Sequence, residues 1–87
     1  MVPLSDSDVS AQDIEHLLRT LGASPVYAGF VPTVTALQYV LADQRLLTSL
    51  TTRLYPKVAE SCKIALPCVE RNIRTMIAVI WEKNQFL

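Results

Sequence analysis

From Lys57 to Arg74 the chain gathers Lys57, Lys63, Cys68, Glu70, Arg71 and Arg74, a set suited to recognition rather than bond-making. Guanidinium groups donate paired hydrogen bonds to guanine edges, ammonium groups neutralise phosphates, and a carboxylate accepts from the amino group of cytosine. Helical spacing puts Glu70, Arg71 and Arg74 on one side and Val69, Ile73, Met76, Ile77 and Ile80 on the other. A helix so patterned seats its apolar stripe on a core and offers the opposite side to a partner. Glu70 also lies four residues before Arg74, the favourable order for a local ion pair. Catalytic chemistry is not expected, because no nucleophile–base set or phosphate-cradling loop occurs. Cys62 and Cys68 are the only cysteines, His16 the lone histidine lies far off, and their spacing matches no common zinc pattern. Neither a metal nor a cofactor is expected, and the thiols read as reduced and structural.

The elements that must position these residues are helical. Gly is scarce, few segments alternate apolar with polar, and 51% of the residues are hydrophobic, so an all-α domain of about five helices is expected. Residues 1–9 read as a flexible tail and residues 10–87 as one helical domain. Ser10 is a good N-cap with Asp13 in the first turn; Ile14, Leu17, Leu18 and Leu21 form a stripe, and Gly22 suits the left-handed position past the end. A loop through Pro25 and Gly29 leads to a second helix from Pro32 or Thr33 to Ala42, with Ala36, Leu37, Val40 and Leu41 inward and Tyr39 in the core. Asp43 can cap a third helix to Leu54, whose Leu46, Leu47, Leu50 and Leu54 again repeat at helical spacing. Its outer face is Thr48, Ser49, Thr51, Thr52 and Arg53, where hydroxyls could hydrogen-bond phosphates, although ordinary solvation is the plainer reading. Pro56 opens a short helix to Cys62 in which Ala59 is small enough for a close crossing. Lys63, Ile64 and Ala65 make a turn, and a last helix runs from about Leu66 to Lys83, with Pro67 tolerated in its first turn. The spacing therefore predicts a helix-turn-helix over about 56–83, with Trp81 and Phe86 packing.

Net charge is zero, yet residues 1–52 hold five acidic side chains against two basic ones, and residues 53–87 hold six basic against three acidic. That asymmetry suits weak docking on phosphates. Thr20 to Ala42 carries no charge, but Gly22, Pro25, Gly29 and Pro32 interrupt it, so no membrane span is expected. Without a basic stretch leading into an apolar one at the start, no signal peptide is expected and the protein should be cytoplasmic.

The runs LYPKVAE, VERNIR and Trp81 together are far more specific than helix-turn-helix spacing alone. With LLTSLTTRLYP, the Gly29–Phe30 pair and DIEHLLRTLG, the chain from Asp13 to Trp81 resembles the C-terminal DNA-binding (effector) domain of the stage-zero sporulation master response regulator family. The resemblance implies a transcription regulator binding a short box of double-stranded DNA, with Glu70 and Arg71 as contacts and Arg74 matching the second arginine of the motif. It also implies a domain that normally follows a phosphorylatable receiver, for which residues 1–9 leave no room, so control by aspartyl phosphate in cis is not expected. Pro67 and Cys68 stand where the family usually has Ser-Arg, and Ile64, Ala65 and Leu66 replace its hydroxyl residues. Cys68 cannot make the paired hydrogen bonds by which arginine reads guanine. Lys57 and Lys63 are expected phosphate contacts. A homodimer on paired sites is expected, since one small module gives limited specificity. The second reading is a degenerate domain that binds a protein partner through Ile64, Leu66 and Pro67.

Overall fold

Ser10 opens the first helix, α1 (Ala11–Thr20), through a reciprocal cap. Its hydroxyl accepts from the Asp13 amide at 3.2 Å while the Asp13 carboxylate accepts from the Ser10 amide at 3.1 Å, so two otherwise orphaned donors are satisfied. The computed structural model describes residues 10–85; the expected tail at 1–9 and Phe86 lie outside them. Gly22 ends α1 with φ +100°, a conformation that costs a side-chain-bearing residue about 1–2 kcal/mol. The amide of Ala23 reaches back to the Leu18 carbonyl at 2.9 Å and completes the cap.

The second helix, α2 (Phe30–Ala42), begins two residues before Pro32, which therefore sits in the first turn, where no intrahelical donor is lost. Gly29 immediately before it is buried. A Cβ added there would stand 2.2 Å from the Asn72 carbonyl oxygen, so only glycine lets the last helix approach this closely.

Asp43 starts the next segment as expected, but its winding differs from an α-helix. Gln44–Thr48 is a 3-10 turn and Leu50–Leu54 a π turn, separated by Ser49 at φ −142°, ψ 48°. The expected third helix is thus two short turns, leaving four α-helices among the described residues. The cause is local and tertiary together. Ser and Thr side chains compete for backbone partners, as Thr48 does in donating to the Arg45 carbonyl at 2.8 Å. The kink then buries Leu46 and Leu54 at once and turns Leu47 and Leu50 outward, 57% and 36% exposed.

The chain continues directly into α3 (Tyr55–Cys62), then a turn, then α4 (Leu66–Asn84). Two clusters form the core. Ile14, Leu18, Ala23, Phe30, Val34 and Met76 pack at the α1 end; Ala36, Leu46, Leu54, Val58, Val69 and Ile73 pack beneath the helix-turn-helix. Helices α2 and α4 enter both, so they hold the halves together. Val58 and Val69 are wholly buried, each worth at most about 1.5–3 kcal/mol. Asn84 ties the far end of α4 to α1 by donating to the carbonyls of Leu21 at 2.7 Å and Ile80 at 2.8 Å.

Three packing assignments need correction. Leu17 and Ile77, assigned to inner faces by helical spacing, are 52% and 58% exposed, and Trp81, expected to pack, is 71% exposed. All three sit at the margin of a stripe, where exposure depends on whether a neighbouring element covers it. Tyr39 packs half-buried against the second cluster. Among the described residues no helix is long and apolar enough to cross a membrane.

Candidate nucleic-acid interface

Pro56 lies in the first turn of α3, whose Val58 is driven into the core while Lys57, Glu60 and Ser61 remain exposed. Ala59 faces the second cluster, where its small side chain allows α4 to cross close by. Lys63 then takes a left-handed conformation, φ 56°, ψ 44°, with its amide bonded to the Ala59 carbonyl. Ile64 donates to the same carbonyl at 3.1 Å and packs half-buried against the core. This corrects the expectation that Ile64 joins an exposed apolar tip; Leu66 and Pro67 are exposed, Ile64 is not.

Ala65 precedes α4 without a side-chain cap, and no acidic residue lies in the first turn. The start of the helix therefore keeps its positive character. Val69, Ile73 and Met76 are buried on the inner side, which leaves Arg71 and Arg74 pointing away from the core, both exposed. Among the described residues Arg71 donates only to the Cys68 sulfur, at 3.6 Å, within its own helix. Arg74 donates to Glu70 at 3.3 Å, the local pair that the spacing offered. Its guanidinium is 78% exposed, so the pair contributes little to stability and leaves donors unused. Cys68 is half-buried and, like Cys62, unpaired; Cys62 donates weakly to the Thr35 hydroxyl at 3.6 Å.

Lys57 lies apart from these groups in a different setting. Its ammonium stands 5.7 Å above the Tyr39 ring, and the Tyr39 hydroxyl shares a hydrogen bond with Ser61. Lys57 also lines a shallow hollow with Asp43, Arg45, Leu46 and Arg53. The sequence singled out neither Arg45 nor Arg53 as a site residue, because both precede the helix-turn-helix. Arg53 precedes Lys57 by four residues on one continuous helical run, and the change of winding at Ser49 brings Arg45 to the same hollow. Arg45 is held by Asp43, at 2.9 Å from Nε and 3.2 Å from Nη2. The same contacts hold the Asp43 carboxyl below its usual range and raise the Arg45 guanidinium. Arg53 makes no ion pair among the described residues. No group of three or more metal-ligating side chains occurs among the described residues.

The candidate residues thus fall in two places: the start of α4, with Lys63, Cys68, Glu70, Arg71 and Arg74, and the Lys57–Arg53–Arg45 hollow before and along α3. Residues 14–86 match the family described as Sporulation initiation factor Spo0A C terminal. The chain belongs to that family, a family of DNA-binding effector domains rather than of enzymes. No solved structure matches the chain.

Proposed function

We propose that the chain is a sequence-specific transcription regulator of the cytoplasm that lays the first half of α4 in the major groove of duplex DNA. The observation that carries this reading is the exposure of Arg71 and Arg74 at the start of a helix whose other side is locked into the core, in a family of DNA-binding domains. In this reading Arg71 and Glu70 meet base edges, and Arg74 exchanges Glu70 for a base or phosphate at small cost. Lys57 and Lys63 neutralise backbone phosphates and set the register. Lys63 supports the reading in a second way. It occupies a left-handed position that glycine would fill without strain, and residues held in such conformations cluster at functional sites. Cys68 lies beside Arg71 and steers its guanidinium rather than reading a base itself. Pairing of two copies would supply the specificity that one module lacks.

Exposed Leu66 and Pro67 at the tip of α4 favour a second reading, a surface that docks a protein instead of DNA. Fluorescence anisotropy with random duplex separates the two. With about four phosphates neutralised, affinity should fall roughly 100-fold between about 50 and 200 mM salt. Arg71→Ala, which removes a cation from the groove, should weaken binding severalfold while leaving helicity intact. Absence of binding even at low salt would overturn the DNA reading in favour of the protein-docking one.

A further inference from the structure

One turn past Arg74 the same flank of α4 becomes apolar. Ile77 and Trp81, four residues apart and so adjacent on the helix surface, are the most exposed large apolar side chains of α4. Ile77 forms one wall of an open groove of about 200 Å³ whose other walls include Leu37 and Val40 of α2, Leu47, Leu50 and Ile73. No charged side chain lines it.

We infer that this face is where two copies of the chain pair, each seating Ile77 and Trp81 against the groove of the other. The inference names the surface for the pairing invoked above; it rests on that reading only for its use on DNA. Area supports it first. From their fractional exposures, Leu47, Leu50, Ile77 and Trp81 leave roughly 450 Å² of apolar surface to water, over half of the roughly 800 Å² that each partner contributes to a standard interface. Shape supports it next. A two-fold interface uses one patch on both copies and so must carry its own complement, and here a projecting tryptophan–isoleucine ridge borders a hollow. Charge supports it as well. A patch brought against its own copy sets like charges together, and the lining of this groove holds none. Finally, Ile77 and Trp81 lie roughly 80–120° around the helix axis from Arg71, so pairing leaves Arg71 open, while Arg74 borders the paired face.

The test contains no DNA, which separates its failure from that of the DNA reading. Sedimentation from about 1 μM to about 1 mM should show a monomer–dimer equilibrium. Trp81 is the only tryptophan, so its emission should shift to the blue over the same range as the indole leaves water. Ile77→Glu and Leu47→Glu, both at exposed positions, should each weaken association at least roughly tenfold with unchanged helicity, because each buries an unpaired charge in the interface. A monomer at every concentration overturns the inference, including one that captures an added amphipathic helix. Association that neither substitution weakens overturns it too.

Discussion

The two halves of α4 share one helix and one flank yet present opposite chemistry. Glu70 and Arg74 occupy the flank in the first half, and Ile77 and Trp81 occupy it in the second. In the first half the boundary between core and surface coincides with the boundary between apolar and charged residues. In the second half the apolar stripe runs wider than the core beneath it, because the turns at Gln44–Leu54 stop short of covering Ile77. The charged half is what a helix needs to meet an aqueous polyanion, and the overrunning apolar half is what it needs to meet protein.

The largest effect expected on this comparison removes both halves together. Gly29→Ala forces a methyl group into the Asn72 carbonyl at the middle of α4, and neither backbone can yield without shifting the helix. A loss of at least about 3 kcal/mol in urea unfolding is expected, with DNA binding and self-association falling together. A stable Gly29→Ala protein would show that α2 and α4 do not meet as closely as described. Next in size is a separation of the halves: Arg71→Ala should lower DNA affinity and spare association, while Ile77→Glu should do the reverse for association in the absence of DNA. Loss of helicity in either variant would show that the halves are not independent.

Lys63→Gly should move stability and binding in opposite directions. Relief of the left-handed backbone should raise stability by up to about 1 kcal/mol, net of glycine's greater freedom when unfolded. The same change removes a cation and should flatten the salt dependence of DNA binding by about one phosphate. Unchanged binding would remove Lys63 from the interface.

The smallest effect concerns acid. Arg45 depresses the Asp43 carboxyl in the folded protein, so the unfolded chain takes up this proton first as pH falls. The contribution is complete above the ordinary carboxylate range and is lost as pH drops through the depressed value. Asp43→Asn should therefore remove a small part of the acid dependence of thermal unfolding. A steeper acid dependence in that variant would contradict the assignment.

Much of the fold was legible in residues that act on their own neighbours. Ser10 with Asp13, Gly22, Pro56 and Pro67 each impose a backbone conformation within a turn of their own position, which is why α1, α3 and α4 start where the sequence places them. The same holds for Glu70 and Arg74, whose four-residue spacing makes them meet in any α-helix. The segment after Asp43 was not legible in this way. Its leucines fit a helical repeat, but a 3-10 turn and a π turn bury two of them better than one regular helix would.

The sequence by itself determined an all-α chain, the helix-turn-helix and its family, and which side chains leave α4 in which direction, because these follow from turn-scale sterics and helical period. Only the tertiary structure decided that Arg45 stands beside Lys57, that Gly29 lies under Asn72, and that Ile77 and Trp81 remain uncovered. Exposure at the edge of a stripe depends on where a distant segment ends, and helical spacing carries no information about that.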